Sequence, residues 1–436
     1  MVDNKCYTVK DNYAKKILDN LLEMTNMGVY NISLFNIAHS VGKISDLVDN
    51  QLSGHHRRVA YIASRIAEKL NLSLKEQDEI VFAGLMHDIG ALSTGDRLEV
   101  FKFRADSGSE HAEKGYRLLR LFEHFKGAAE SVRYHHTRWD QIKRDEENIG
   151  GCILYLADRL DTLVKKDENI LLQKDDILKQ IDEESGKMFK PETVEALKDL
   201  SLIEAFWLDI VNDVVLLPKS EYYKKMVLTE EVMIQLGLFF SQLIDFRCRF
   251  TATHSSGIAA VASELAKLLN YNNYDCVLMR FAGYVHDIGK LAVPIEIIEK
   301  PSKLTEEEYR IMKMHTYYTY QILSQIEGIG QVKEWAAYHH ERIDGTGYPF
   351  GIKGDDMSEG CKVMKVADVF TAITEERPYR MPMEKEQVFS ILETIIEDDE
   401  QFSNIVGLLK KNYTHLVAVR EAAQQDAINR YEVFIK

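Results

Sequence analysis

His286-Asp287-Ile288-Gly289-Lys290 is followed by His339-His340-Glu341 and then by Gly345-Thr346-Gly347-Tyr348-Pro349, and a weaker copy of its histidine skeleton lies upstream, around His87-Asp88 and His135-His136. The copies agree in spacing as well as in letters. His55 precedes His87 by 32 residues and His254 precedes His286 by 32, while His111 to His135 and His315 to His339 are both 24 residues. Ser-Arg-Ile-Ala-Glu-Lys-Leu at 64–70 is matched by Ser-Glu-Leu-Ala-Lys-Leu-Leu at 263–269, and each copy ends in an Ala-Asp pair, Ala157-Asp158 and Ala367-Asp368. Ten of the fourteen histidines occupy matched positions. Scattered core histidines would not repeat their separations, so the chain reads as a duplication.

A chain of 436 residues has room for about two or three domains of about 100–200 residues each. With 45% hydrophobic residues it can bury packed cores. It contains no 18-residue apolar run and no basic segment followed by an apolar one at its start, so a cytoplasmic protein with no membrane association is expected. Cys6, Cys152, Cys248, Cys276 and Cys361 are scattered without CxxC spacing and read as buried reduced thiols. The net charge of −15 and pI near 5.5 argue against binding DNA or RNA polymers or anionic lipid, which need clustered Lys and Arg. A small phosphorylated ligand remains compatible, because divalent cations and a few local bases reverse the field inside one cleft.

Seven prolines and widespread 3.6-residue apolar periodicity predict an all-α fold. Val59, Ile62, Ala63, Ile66, Ala67 and Leu70 form one amphipathic stripe, and Ile258, Val261, Ala262, Leu265, Leu268 and Leu269 form its counterpart. Each stripe begins at a candidate ligand, His55 or His254. The stretch Gly186–Val194 parallels that around Gln401–Val406, so each unit ends alike. The Leu217-Pro218-Lys219-Ser220 turn marks the boundary, giving units at 1–217 and 218–436. Leu228–Phe250 reads as a lead-in helix whose Phe239, Phe240, Leu243, Ile244 and Phe246 pack a core or an inter-domain seam.

Two adjacent cations of the Fe, Mn or Zn kind need imidazoles on their outer faces and a carboxylate able to bridge them. In the second unit His254, His286, Asp287, His315, His339, His340 and Asp368 supply five imidazoles and two carboxylates, with Asp287 the natural bridge. In the first, His55, His87, Asp88, His111, His135, His136 and Asp158 keep every one of these positions.

The second unit, about residues 235–430, resembles the HD-GYP family, a branch of the HD superfamily of helical metal phosphohydrolases. The resemblance rests on the HDIGK and GTGYP segments, Lys300-Pro301-Ser302-Lys303-Leu304, His339-His340-Glu341-Arg342, Val366-Ala367-Asp368-Val369-Phe370 and Arg377-Pro378-Tyr379-Arg380, all in the family's order. It implies two tandem HD-superfamily helical domains, the first without a GYP loop. It further implies hydrolysis of a cyclic dinucleotide, cyclic di-GMP (c-di-GMP) or 3′3′-cyclic GMP-AMP (3′3′-cGAMP), to the linear 5′-phosphorylated dinucleotide, with two divalent metals, Fe or Mn, in each active domain. Phe250 and Gln51 replace the Glu that trinuclear members carry four residues before the first histidine, which favours a dinuclear site. Thr371 stands where the family has a second Asp, and Ile295 where an acid often follows the proline.

Asp287 and Lys290 are the expected catalytic pair. Lys290, four residues after His286, is read as lying on the same helical face and holding a phosphate oxygen. Tyr348, Arg377 and Arg380 are the further expected substrate contacts, with the GYP loop shaping the lip of the cleft. The first unit has Ala91 at the lysine position and only 22 residues from His136 to Asp158, against 28 from His340 to Asp368, so its loop is shortened as well as altered. An expected 5′-nucleotidase acting on the linear product is weighed there against a structural or regulatory metal domain. For the whole chain, a cyclic dinucleotide receptor with little turnover and a nucleotide hydrolase of the wider superfamily are the alternatives. The sequence leaves room for a homodimer or a signalling partner protein.

Overall fold

The computed structural model describes residues 29–48, 54–92, 109–142, 147–212, 214, 216–224, 226–247, 253–376, 381–396 and 399–435. Helices account for nearly all of its regular structure. The sheet among these residues is one antiparallel pair, β1 (Val29–Tyr30) with β2 (Leu228–Thr229).

The first unit runs α1 (Leu34–Val48), α2 (His55–Lys69), α3 (Leu74–Met86), α4 (Ser109–Arg120), α5 (Lys126–Tyr134), α6 (Ile149–Leu163), α7 (Ile170–Glu183), α8 (Pro191–Ser201) and α9 (Glu204–Val211). A short α10 (Glu221–Lys224) leads to the second unit, α11 (Glu230–Arg247), α12 (His254–Leu268), α13 (Asn273–Val285), α14 (Ile295–Ile298), α15 (Glu306–Met312), α16 (Met314–Leu323), α17 (Val332–Ala337), α18 (Glu359–Thr374), α19 (Lys385–Glu393), α20 (Glu400–Lys411) and α21 (Tyr413–Ile435). The two predicted amphipathic stripes form α2 and α12, beginning at His55 and His254. Polar side chains set several starts: Ser73 and Glu76 form a capping box at α3, Thr305 and Glu308 another at α15, and Asn148 accepts from Gly151 at α6.

The same helix crossing recurs in both units because the same glycines permit it. A Cβ on Gly84 would lie 2.5 Å from Ala60 Cα, and one on Gly283 would lie 2.4 Å from Ala259 Cα. Backbones of α2 and α3, and of α12 and α13, therefore touch directly, one turn before each His-Asp pair. Gly90 and Gly289 repeat the device beyond the pair, where a Cβ would fall 2.1 Å from His111 O and 1.9 Å from His315 O.

The lead-in helices join the units. α1 packs on α2 and α3 of its own unit and also on the turn after His286-Asp287 and on α16. Lys43 Nζ donates to Gln325 Oε1 at 2.7 Å, and Tyr30 stacks on Tyr274 with centroids 4.5 Å apart. From the other side, Phe239 of α11 meets Phe125 and Phe122 at 5.6 and 6.3 Å. Phe240, Leu243 and Ile244 are buried with it, whereas the side chain of Phe246 lies outside the described residues. Cys152, Cys276 and Cys361 are buried and free; Cys6 and Cys248 fall outside the described residues. No helix among the described residues is long and apolar enough to cross a membrane.

The expected boundary turn is pinned by one carboxylate. Buried Asp78 of α3 accepts from Lys219 N and Ser220 N, both at 2.8 Å, and from Ser220 Oγ at 2.6 Å. Asp78→Ala strands two amides and a hydroxyl, so we expect a loss of roughly 2–4 kcal/mol, read as a lower urea midpoint with unchanged far-UV circular dichroism.

Candidate metal centres

The structure brings the fourteen sequence-predicted ligands into two clusters. In the second unit, ligand atoms of His254, His286 and Asp287 lie within 4.8 Å of one another, and so do those of His315, His339 and His340. Asp287 joins these groups: its Oδ2 is 3.1 Å from His286 Nε2 and its Oδ1 is 3.4 Å from His315 Nε2. Asp368 closes the first group, with Oδ1 3.3 Å from His254 Nε2. The first unit repeats the arrangement. Asp88 belongs both to the group with His55 and His87 and to that with His111, His135 and His136. Its Oδ2 faces His87 at 3.3 Å and its Oδ1 faces His111 at 3.5 Å, while Asp158 stands 3.4 Å from His55.

Seven of these imidazoles are oriented by their other nitrogen. Nδ1 of His87, His135, His286, His315 and His339 reaches the carbonyl three residues earlier, at Gly84, Val132, Gly283, Met312 and Ala336, over 2.5–2.9 Å. His55 Nδ1 reaches Asp161 Oδ2 at 2.7 Å, and His254 Nδ1 reaches Glu375 Oε1 at 3.0 Å. A carbonyl can only accept, so each of the five rings bonded to one carries a proton on Nδ1 and turns Nε2 toward the cluster. This is how metal-ligating histidines are held. His136 differs: its Nδ1 faces Arg159 Nη2 at 2.8 Å, and because a guanidinium only donates, this nitrogen accepts.

The clusters suit cations. Nε2 atoms of His55 and His87 are 3.2 Å apart and those of His111 and His135 are 3.4 Å apart, deep in the protein. Asp88 Oδ1 and His315 Nε2 are buried and make no hydrogen bond. Burial, opposed only in part by Asp287, pushes His315 down to about 3, and burial together with His286 pushes His339 down to about 4, so both rings are neutral at neutral pH. Burial would raise Asp287 and Asp368, yet the imidazoles around them, with Lys290 beside Asp287, hold both carboxyls well below the usual range. His315 and His339 beside ionised carboxylates are donors suited to Fe, Mn or Zn, whereas Asp368 and Glu375 outweigh burial at His254 and push it up to about 9, so a cation there would replace a proton on that ring.

Lys290 lies beside the cluster but not on the expected helical face. α13 ends at Val285, and Lys290 belongs to the separate 3-10 turn Ile288–Ala292, so it does not share a helical face with His286. The tight turn brings its Nζ to 2.6 Å from Asp287 Oδ2, with the side chain 21% exposed. The Gly345–Pro349 loop folds over the same cluster, with the Tyr348 ring 4.9 Å from that of His340 and the Lys313 ammonium 5.0 Å above the Tyr348 ring. In the first unit a 3-10 turn at Trp139–Gln141 follows the histidine pair instead, with Lys190 over the Trp139 ring. Arg377 and Arg380, like Phe250 and Gln51, lie outside the described residues.

Three supporting groups had no role in the sequence reading: Asp161, Glu375 and Glu341. The fully buried Glu341 carboxylate accepts from Phe350 N at 2.7 Å and Ile352 N at 3.1 Å, tying the loop's far end to its base. A Glu two residues after a histidine was visible, but nothing local showed which amides it would meet.

Two helical units, each built around one His/Asp cluster that follows an HD pair, define a tandem HD-domain protein. The HD domain family matches residues 52–163 and again residues 239–397. The chain is 30% identical over 400 residues to 3′3′-cGAMP-specific phosphodiesterase 1 of Vibrio cholerae, covering 88% of this chain and 92% of that protein. It is 26% identical over 435 residues to phosphodiesterase 3 of the same organism, covering 85% of this chain and 94% of the relative. A cyclic di-GMP phosphodiesterase of Thermotoga maritima matches over 168 residues at 33% identity, covering 38% of this chain and 46% of the relative. The crystal structure of a cyclic GMP-AMP-specific phosphodiesterase of V. cholerae superposes with a TM-score of 0.62 at 24% identity, over 88% of this chain and 98% of that one, and so shares the fold. The chain belongs to the HD-GYP family, in its tandem-HD form.

Glu341→Ala leaves two loop amides without their acceptor. We expect it to expose the Ile343–Ile352 loop by roughly 2 kcal/mol of local stability, seen as faster amide exchange and proteolysis there while α12 and α13 keep their protection.

Proposed function

We propose that residues 218–436 hydrolyse one phosphodiester bond of a cyclic dinucleotide, 3′3′-cGAMP foremost and c-di-GMP as the other candidate, releasing the linear 5′-phosphorylated dinucleotide. The observation that carries this reading is Asp287, whose two oxygens face imidazoles of two different ligand groups while Lys290 lies beside it and Tyr348 of the GYP loop lies against His340. The names of the V. cholerae relatives, alike over nearly their whole length, support the substrate class and the preference for the mixed ring.

Two divalent cations, Fe or Mn, fit among His254, His286, Asp287, His315, His339, His340 and Asp368, where they would supply a water of lowered pKa and neutralise phosphate charge. The protein's own groups do the rest. Fixed Nδ1 contacts keep the imidazoles aimed inward, so little reorganisation accompanies the reaction. Lys290, partly exposed at the cluster, exchanges its Asp287 contact for a phosphate oxygen as charge grows there. Tyr348 covers the His340 side and bounds the room for a base. Arg377 and Arg380 complete the proposed substrate contacts.

For residues 1–217 we propose removal of the 5′-phosphate from that linear product. Ala91 supplies no ammonium to Asp88, and among the described residues a cation instead lies beside the other carboxylate: Arg159, fully buried and 3.5 Å from Asp158. A site without the GYP loop and with its cation on another wall suits a different, terminal phosphate ester.

Lys290→Met should lower kcat for ring opening by roughly 10²–10³ and leave metal content unchanged. His87→Ala with Asp88→Ala should abolish phosphate release while ring opening persists. Both are read by chromatography and mass of products from Mn- or Fe-loaded protein given 3′3′-cGAMP, c-di-GMP and cyclic di-AMP. Stoichiometric binding without consumption of any ring would replace the enzyme reading with a receptor.

A further inference from the structure

The two clusters agree in every ligand but fix their first histidine differently. In the first unit, Asp161, three residues after Asp158, accepts from His55 Nδ1 at 2.7 Å and is itself gripped by Arg58, whose Nε and Nη2 lie 2.6 and 3.0 Å from its two oxygens. Three residues after Asp368 stands Thr371, and three after His254, where the first unit has Arg58, stands Gly257. Both members of the supporting pair are gone from the second unit.

Their replacements come from elsewhere. Glu375, one helical turn beyond Thr371 and with its amide bonded to Thr371 O, puts Oε1 3.0 Å from His254 Nδ1. The volume vacated by the arginine is filled from α21: a Cβ on Gly257 would lie 3.1 Å from Thr371 Cγ2, 3.2 Å from Arg420 Cγ and 3.2 Å from Gln424 Nε2. Gln424 Nε2 in turn donates to Glu375 Oε2 at 2.9 Å. Thr371 Oγ1 is buried without a hydrogen-bond partner, as expected of a position that has lost its polar task. Residues i and i+4 share a helical face, so a carboxylate can move one turn along α18 and still meet the same imidazole, provided its side chain is longer than that of Asp.

We propose that Glu375 is the positioning residue of the second metal centre, standing in for the family's Asp at position 371, and that α21 completes the centre by holding Glu375 through Gln424. The inference rests on the reading of this cluster as a metal site. It goes beyond that reading in making the C-terminal helix part of the support of His254.

The test uses the full chain and Mn(II) alone, followed by calorimetry, with the first cluster unchanged in every variant as an internal reference. Glu375→Ala should weaken Mn(II) binding at the second centre by roughly 10–100-fold. Adding Thr371→Asp to it should restore most of the loss, and Glu375→Gln, which keeps an acceptor for Nδ1, should fall between wild type and Glu375→Ala. A Glu375→Ala chain that melts earlier yet binds Mn(II) as wild type does would reduce the residue to a structural role and overturn the proposal. So would a folded double variant as weak as Glu375→Ala, or Glu375→Gln as weak as Glu375→Ala. Because turnover is not read, the expected ranking in a protein that opens no cyclic dinucleotide would remove the functional reading and leave this one standing.

Discussion

Everything in each unit is arranged around a buried carboxylate among buried imidazoles. Asp287 and Asp88 are almost fully removed from water, a placement that costs several kcal/mol for an isolated ion. To hold cations, such a cluster needs ionised carboxylates and imidazoles that cannot turn their protons inward. The carbonyls of Gly84, Val132, Gly283, Met312 and Ala336 supply the second condition at the cost of no extra side chain, because a histidine just past a helical turn reaches back to the carbonyl three residues earlier.

That reach-back explains the glycines. To place the His-Asp pair at the end of one helix against the first histidine of another, the two backbones must nearly touch, and Gly84 and Gly283 are where they do. The crossing would be pushed apart by a single methyl group. Gly90 and Gly289 then let the third histidine's helix approach from the other side. Packing density and ligand geometry are here one constraint, which is why duplication preserved both together.

The units have diverged around this fixed centre in their cations and covers. Lys290 beside Asp287 corresponds to Ala91 beside Asp88, and Val369 beside Asp368 corresponds to Arg159 beside Asp158. The GYP loop, anchored on Glu341, has been replaced by a turn packed through Trp139. The lead-in helices cross between the units, so the second centre's turn after Asp287 is packed partly by α1 of the first.

The sequence by itself determined the helical class, the duplication and the candidate ligand residues, since apolar periodicity and repeated histidine spacing are local records of helices and of a shared centre. It also placed the starts of α2 and α12 at His55 and His254. The tertiary structure decided what holds those ligands in aim. Lys290 reaches Asp287 through a 3-10 turn that the five-residue motif does not announce, and Asp161 and Glu375 meet their histidines from residues more than 100 positions away. Which carboxylate lies opposite an imidazole depends on the rotation and crossing of whole helices, and no window of sequence contains that information.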